Sequence, residues 1–211
     1  WDIYPPEVSC PDVMRVGNVG DGGKFVCGLS WMEQHKERPC VVYSYGISTD
    51  TSFEHDLAAK AGCTIYGFDP TVGEMKMDLS RGGAAVSSDQ FVFHKTALST
   101  KSGSSAEFAL SEHLYDTMVR LNHSYIDILK VDVEGSEWTV MNDLLGYAKS
   151  PLGGPRFGQL LIELHFRTAL ELDRFMSDMR GSGYVSFSRE INLIPTLKGD
   201  LPLATEYSFI N

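Results

Sequence analysis

Short apolar runs alternate along the chain with stretches that have the periodicity of helices. The apolar runs predict strands at residues 41–45, 64–68, 91–95, 126–131 and 160–164. The stretches between and after them predict helices at 53–60, 111–122, 136–148 and 168–180. Residues 107–109 are a further candidate for extended chain. Two final strands, 184–189 and 206–210, are joined by a short connection, so we expect them to pair as an antiparallel hairpin.

This alternation is typical of βαβ units and predicts an α/β fold with a largely parallel, doubly wound sheet. A length of 211 residues suits a single domain over residues 1–211. Ligands of such sheets bind beyond the carboxyl ends of the strands, near the switch in strand order. The residues that directly follow each strand are therefore the first candidates for function.

Charge and hydropathy exclude some classes of partner. A net charge of −10 disfavours sequence-independent nucleic-acid binding, which depends on Lys and Arg contacts to phosphates. No stretch approaches the roughly 18 consecutive apolar residues of a membrane span. The chain opens on Trp1 and shows no signal peptide, so we expect that a longer precursor was trimmed.

The four cysteines bear on the compartment. Their spacing contains no CxxC pair and no histidines at zinc-finger distances, which disfavours a structural metal. Two interpretations stay open: buried reduced thiols, or a secretory protein with one or two bridges, of which Cys10–Cys27 is the first candidate. Asn122-His123-Ser124 is an N-glycosylation acceptor triplet. Together these features favour the secretory lumen (Golgi) or secretion over the cytoplasm.

The first two strands end in a pattern typical of nucleoside binding. Gly46 ends the first strand, and Asp69 follows it by 23 residues at the end of the second. A carboxylate there is placed to accept the hydroxyl hydrogens of a ribose. Neither GxGxxG nor GxxxxGK[ST] occurs, which disfavours a dinucleotide, and with it a nicotinamide dehydrogenase, or a triphosphate. S-adenosylmethionine is a nucleoside without phosphates, and Asp50 and Glu54 are candidates to meet its ammonium group.

The fourth and fifth strands end in clusters of polar residues. Lys130, Asp132 and Glu134 share one side while the chain stays extended, and Glu163 and His165 do the same on the next strand. Buried parallel strands are otherwise nearly all apolar, so polar groups at their mouths indicate function.

The chain resembles FkbM-type S-adenosylmethionine methyltransferases, in particular the branch of animal methyltransferase-like proteins. The resemblance covers most of the chain in the expected order, and the Lys-Val-Asp-Val-Glu-Gly stretch is its most specific part. The matching pieces are Arg15-Val16-Gly17, Asp21-Gly22-Gly23-Lys24, Tyr43-Ser44-Tyr45-Gly46-Ile47 with Asp50 and Ser52-Phe53-Glu54, Phe68-Asp69-Pro70-Thr71, Thr96-Ala97-Leu98-Ser99, Ile128 to Glu137, and Leu161-Ile162-Glu163-Leu164-His165.

The resemblance implies a Rossmann-like class I fold with a mostly parallel seven-stranded sheet that ends in an antiparallel hairpin. It also implies S-adenosylmethionine as cofactor, residues 1–40 packed near the cofactor site, Ala97-Leu98 at the adenine, and Asp132 near the methyl group. Ser44 and Ser48 replace the acid and amide of the family's commoner Asp-x-Gly-x-Asn motif. The residues expected to contact the cofactor are Gly46, Ile47, Asp50, Phe53, Glu54, Asp69, Pro70, Ala97, Leu98 and Asp132.

Methyl transfer to a hydroxyl requires alignment and proton removal. We expect an O-methyltransferase with Asp132, Glu134 and His165 in the catalytic set and His165 or Asp132 as general base. Oxygen ligands from Asp132, Glu134 and Glu163 are a candidate site for Mg²⁺ or Mn²⁺.

From the family and the compartment, the first acceptor that we expect is a sugar or glycan, and the second is another small molecule. Trp138 or Phe166 would offer a face to a sugar ring, or belong to the core. The alternatives are a small-molecule or protein N-methyltransferase and a non-catalytic binding module with the same fold.

Overall fold

The structure is a computed structural model. It describes residues 4–20, 22–35, 37, 39–77, 86–104, 107–148, 153, 156–165, 167–192 and 204–211. Asp21, Phe166 and most of the predicted loops at 80–88 and 151–155 lie outside the described residues.

The chain forms strands and helices in alternation. The strands are β1 (Val13–Val16), β2 (Lys24–Cys27), β3 (Val41–Tyr45), β4 (Thr64–Phe68), β5 (Phe91–His94), β6 (Ala97–Leu98), β7 (Ser111–Glu112), β8 (Ile126–Val131), β9 (Phe157–His165), β10 (Val185–Ile191) and β11 (Ala204–Ile210). The helices are α1 (Leu29–Gln34), α2 (Ser52–Ala61), α3 (Leu114–Arg120), α4 (Glu137–Ala148) and α5 (Ala169–Gly181), with a 3₁₀ turn at Ser88–Gln90.

Seven strands build the central sheet in the order β10-β11-β9-β8-β3-β4-β5. β11 runs antiparallel to both of its neighbours, whereas the pairs from β9 across to β5 are parallel. The expected mostly parallel sheet with a final antiparallel hairpin is confirmed. The chain moves outward from β3 on one side and returns through β8 on the other. The carboxyl ends of β3 and β8 therefore flank the switch in strand order, where ligands bind.

Alternating side chains of the sheet feed two cores. Val42, Ile128 and Leu161 belong to one buried cluster, which also contains apolar residues of α2 and the N-terminal segment. Tyr43 and Leu129, one residue further along their strands, belong to the other cluster with α4 and α5. This period of two explains why β3 and β8 are apolar on both faces.

The bounds of β3, β4 and β8 agree with the predicted ones. β9 begins earlier than predicted, because buried Phe157 pairs with Ile126 and extends the parallel ladder. The predicted helix 111–122 is wrong at its start: Ser111–Glu112 pairs as β7 with β6, and His113 caps a shorter α3 by accepting from the Tyr115 N–H. Residues 107–109 form no regular strand.

The N-terminal segment contains elements that the sequence pattern did not predict. β1 and β2 form an antiparallel hairpin, and Gly22 and Gly23 lie in its turn. β2 docks on the central sheet, because the Gln159 side chain binds both the N–H and the carbonyl of Cys27, at 2.9 and 2.8 Å. Ser208 Oγ also donates to the Phe25 carbonyl at 3.0 Å. These bonds place the hairpin over β9 and β11.

All four cysteines are paired, so the reduced-thiol interpretation is not the one that the structure adopts. Cys10–Cys27 is confirmed as a bridge, and Cys40–Cys63 is a second one. The second bridge joins the residues just before β3 and β4. With sequence separations of 17 and 23 residues, each bridge contributes about 3 kcal/mol in the loop-entropy description. In the described part of the chain, no helix is long and apolar enough to cross a membrane.

Candidate active site

The ends of β3 and β8 meet in a close backbone contact. The Asp132 N–H donates to the Tyr45 carbonyl at 3.1 Å, and the Gly46 N–H donates to the Phe68 carbonyl at 2.9 Å. Gly46 has φ of 75°, and a Cβ added there would lie 1.6 Å from the Asp132 carbonyl oxygen. The glycine is therefore required by the protein's own backbone.

Asp69 organises the loops that follow β3 and β4. Its Oδ2 accepts from the Ser48 N–H at 2.9 Å, and its Oδ1 accepts from the Thr71 N–H and hydroxyl at 2.8 and 2.6 Å. Burial opposes ionisation, but these hydrogen bonds outweigh it and lower the pKa of Asp69. The carboxylate is thus charged, and both of its oxygens accept hydrogen bonds from the two loops.

Glu54 brings a carboxylate to Ser44 near the end of β3. Ser44 Oγ donates to Glu54 Oε1 at 2.6 Å, and Glu54 is fully buried. Its Oε2 has no hydrogen-bond partner in the described part of the chain. Burial raises the pKa of Glu54, while the positive charge of Lys130 opposes that shift. Lys130 itself donates to the Gly46 carbonyl at 2.9 Å. The acid therefore reaches the loop from α2 and not from β3.

Asp50 binds the protein and was expected to meet the cofactor's ammonium. Its Oδ1 accepts from the Ser52 N–H at 2.8 Å, and its Oδ2 accepts from Asn18 at 3.0 Å. Asn18 lies in the turn between β1 and β2, and the Asn18 N–H also donates to Ser52 Oγ at 2.9 Å. Asp50 thus fastens the hairpin turn to the start of α2.

The apolar residues expected at the cofactor divide into two groups. Ile47 and Phe53 are buried side chains: Ile47 packs on Gly67 of β4, and Phe53 belongs to the core cluster that contains apolar residues of α2. Ala97 and Leu98 are buried in β6. The carbonyl of His94 accepts from the Asp69 N–H at 3.2 Å, which brings Asp69-Pro70 beside the turn into β6. The structure therefore brings Asp69, Pro70 and Ala97 into one neighbourhood.

Three carboxylates gather at the mouths of the strands beside that loop. One oxygen each of Asp132, Glu163 and Glu206 lies within 4.8 Å of the others, and we call these residues the acidic trio. Lys24, 2% exposed, has its Nζ 3.2 Å from Asp132 Oδ2 and donates a short hydrogen bond to Glu206. Asn192 donates to Glu163 Oε1 at 2.8 Å. The N-terminal hairpin therefore supplies a cation to the site.

The charges of the trio differ although the residues are neighbours. Burial opposes ionisation of Asp132, but Lys130 and Lys24 lower its pKa to about 2. Burial and the Asp132 charge raise the pKa of Glu163 to about 8. Burial also lowers the pKa of Lys24, an effect that Glu206 and Asp132 more than offset, so the pKa lies above its ordinary value. Near neutral pH, Asp132 and Glu163 thus hold one proton between them.

His165 lies between two carboxylates outside the trio. Its Nε2 is 3.3 Å from Glu134 Oε2, and its Nδ1 is 3.3 Å from Glu137 Oε1. Glu137 raises the pKa of His165 to about 9, against the opposing effect of burial. A histidine that carries a proton near neutral pH is a poor general base.

Glu134 lies apart from the metal-ligand set in which it was expected. Its side chain is 85% exposed and faces His165, while Glu206 completes the trio. Glu134 has φ of 53°, which turns the chain after β8 so that Glu137 accepts from the N–H groups of Val133 and Gly135. Trp138 is a core residue whose indole donates to the His165 carbonyl at 2.7 Å. Phe166, the other candidate sugar platform, lies outside the described residues.

Sequence reasoning missed Lys24 and Glu206 as members of the site. Lys24 was noted only within the matching piece Asp21-Gly22-Gly23-Lys24, and Glu206 only as the start of a strand. A usable signal was the single acid within the otherwise apolar and hydroxyl-bearing run Ala204–Ile210. A charged residue in such a strand needs a partner of opposite charge.

Comparisons with known proteins point to one class. A family model described as a methyltransferase domain matches residues 1–210. The human protein described as probable methyltransferase-like protein 24 is 29% identical over 138 residues, which cover 63% of this chain and 34% of that protein. The chain thus spans about a third of this relative's length.

Two solved structures are also similar. The METTL16 MTase domain gives a TM-score of 0.47 at 12% identity, over 86% of this chain and 64% of that one. A 16S rRNA (adenine(1408)-N(1))-methyltransferase from Catenulisporales acidiphilia gives 0.43 at 11%, over 93% and 97%.

The contact between the two strand ends predicts a large effect of one methyl group. In Gly46→Ala the new Cβ would overlap the Asp132 carbonyl oxygen, and the left-handed φ adds strain. We expect the free energy of unfolding to fall by at least about 3 kcal/mol. Gly146→Ala, in α4 with nothing within 4 Å of an added Cβ, is the matched control and is expected to gain about 0.5–1 kcal/mol. Urea denaturation compares them; equal stability of Gly46→Ala and wild type would contradict the contact.

The charge of His165 predicts a pH-dependent part of the folding stability. Its pKa is about 9 in the folded chain, whereas a histidine of an unfolded chain titrates near about 6.5. The ion pairs of His165 therefore stabilise the fold fully below about pH 6.5, and this stabilisation is lost as pH rises through about 9. We expect His165→Gln to unfold at lower urea than wild type at about pH 6, and the gap to narrow by about pH 10. A gap that stays constant or widens with pH would contradict the assignment.

Proposed function

The chain belongs to the family described as a methyltransferase domain, and we propose that it transfers the methyl group of S-adenosylmethionine to a hydroxyl of a sugar or glycan. The family and the seven-stranded sheet imply a methyltransferase and this cofactor. The class of acceptor and the roles of the site residues are our proposal.

The residues at the ends of β3 and β4 fit the cofactor by their chemistry. The charged Asp69 would hold the ribose hydroxyls, and apolar Ala97 and Leu98 would border the adenine. Glu54 keeps one buried carboxylate oxygen without a partner below the Gly46 loop, which favours a positively charged methionine end. S-adenosylmethionine, when bound, supplies a methyl carbon that its sulfonium activates for displacement.

One observation carries the proposal: Asp132 belongs to both halves of the site. Its backbone carbonyl lies against Gly46, the loop assigned to the cofactor, while its carboxylate belongs to the acidic trio. A hydroxyl held by that carboxylate would therefore be close to the methyl donor. Such positioning accounts for much of the acceleration of a displacement between two bound reactants.

The proton of the acceptor is assigned to the same carboxylate. In the transfer, Asp132 would accept the proton of the acceptor hydroxyl, and it shares a proton with Glu163. His165 and Glu134 form an ion pair that holds the loop after β8. Neither of them accepts the proton.

Several carboxylates at one site also suit other acceptors. A basic amine is attracted by the acidic trio, so N-methylation of a small molecule or a protein is the second candidate. Polyanions are disfavoured by the same carboxylates and by the net charge of −10, so we propose no nucleic-acid acceptor. The alternative to direct binding of the acceptor hydroxyl by the carboxylates is a divalent metal that the trio would hold.

An acceptor screen tests the proposal. The protein is incubated with isotope-labelled S-adenosylmethionine and with free sugars, glycans, hydroxylated small molecules, amines and peptides, and mass spectrometry detects the added methyl group. We expect labelled sugar or glycan. Labelled amine or peptide nitrogen would favour the second candidate, and calorimetry without cofactor binding would favour a non-catalytic module.

Two variants separate the halves of the site. Asp69→Asn removes a charged hydrogen-bond acceptor, so we expect S-adenosylhomocysteine to bind at least about tenfold more weakly. Asp132→Asn keeps the shape but removes the proton acceptor, so we expect near-normal binding of S-adenosylhomocysteine and turnover lower by about 100-fold or more. Calorimetry and the labelled assay measure the two effects. Full turnover by Asp132→Asn would contradict its role.

We also propose that the chain matures in the secretory lumen or outside the cell. Two disulfides support this compartment, since such bridges persist in oxidising environments. Asn122 is exposed in a turn after α3, so the acceptor triplet is accessible. The turn precedes β8, so it lies at the amino end of that strand, whereas the acidic trio lies at the carboxyl ends of the strands.

Secretory expression tests this location. We expect peptide-N-glycosidase to lower the mass of the secreted protein by one glycan, which is seen as a shift in electrophoretic mobility. Asn122→Gln and Ser124→Ala should each abolish that shift. Asn142→Gln, exposed in α4 but outside a triplet, is the control and should leave the shift unchanged. Native protein that carries free thiols and no glycan would contradict the proposal.

A further inference from the structure

We propose that the ammonium of Lys24 is the resident cation of the acidic trio and takes the place that a divalent metal would occupy. The inference rests on the proposed function only in treating the trio as the acceptor side of the site. It makes Lys24 a positioning residue for Asp132 and Glu206.

The position of the ammonium carries the argument. Nζ lies 3.2 Å from Asp132 Oδ2 and is hydrogen-bonded to Glu206 Oε1, so it bridges two of the three carboxylates that would ligate a metal. The third, Glu163, is engaged by Asn192. Mg²⁺ requires oxygen ligands at about 2.0–2.1 Å in an octahedron. An ion placed among the three carboxylates would therefore lie against the ammonium, which repels it.

The charges already balance to a large extent without a metal. The positive charges of Lys24 and Lys130 lower the pKa of Asp132. They also oppose the rise that burial causes in the pKa of Glu206. Lys24 is 2% exposed, and its contacts lie inside the protein. A buried ammonium is stable only with such partners, so the trio and Lys24 require each other.

The backbone around Lys24 keeps the ammonium in place. β2 is held on the central sheet by Gln159 at Cys27 and by Ser208 at Phe25. Cys27 is also bridged to Cys10. Because the strand that carries Lys24 is fastened at Phe25 and Cys27, the backbone holds the Lys24 side chain beside the trio.

Binding of Mn²⁺, followed by electron paramagnetic resonance, tests the proposal on the whole chain. The samples are wild type, Glu163→Gln, Lys24→Ala, Lys24→Arg, Lys24→Ala with Glu163→Gln, and Lys95→Ala, which removes one exposed lysine and changes the net charge as Lys24→Ala does. We expect no Mn²⁺ at the trio of wild type, Lys24→Arg or Lys95→Ala up to about 1 mM. Lys24→Ala should bind one Mn²⁺ at least about tenfold more tightly, and Glu163→Gln should remove that site.

Two results would overturn the inference: a Mn²⁺ site in wild type that Glu163→Gln abolishes, or a folded Lys24→Ala that binds no Mn²⁺. The wild-type measurement decides even where Lys24→Ala fails to fold alone, and folding of that variant on addition of Mn²⁺ would support the inference. Metal binding is read without methyl transfer, so a failed acceptor screen leaves this test intact. Turnover of wild type should also be unchanged by EDTA, while Lys24→Arg should retain more turnover than Lys24→Ala.

Discussion

The close approach of β8 to the end of β3 is the constraint on which the rest of the site depends. The Asp132 carbonyl fills the space where any side chain at position 46 would stand. The chain after β3 therefore turns through a left-handed glycine, and this turn delivers Ser48 to Asp69. The same contact fixes where Asp132 starts its own loop. A single backbone packing thus sets the distance between the proposed cofactor half and acceptor half of the site.

Charge is distributed around this contact in an unusual way. Glu54 extends from α2 to the end of β3, where its carboxylate accepts a hydrogen bond from the Ser44 hydroxyl. The negative charge at this place therefore comes from a helix and not from the strand. On the other side, two buried lysines act on Asp132. Buried ions are stabilised only by partners at close range, so these groups form an arrangement in which the loss of one member strands the others. Rigidity of the site is a consequence of that mutual dependence.

The elements that sequence predicts best are those whose pattern does not depend on distant partners. β3, β4 and β8 are mostly apolar runs followed by glycine or aspartate, and these local signals are enough to predict their bounds. The hairpin of β1 and β2 is short and half-exposed, so its strands have no such pattern. Lys24 and Glu206 escape for a related reason: the burial of one is decided by the other, 182 residues away. His165 was identified as a site residue, but its protonation follows from Glu137, which only the fold brings to it.

The bond between Lys24 and Glu206 also orders events during synthesis. Lys24 is synthesised before Glu206, and a nascent chain without β11 lacks one of the two carboxylates that contact the Lys24 ammonium. The hairpin of β1 and β2 then gains less from docking, because part of the surface beneath it, at Ser208, is also absent. Assembly of the proposed methyl-transfer site is thereby coupled to the synthesis of β11.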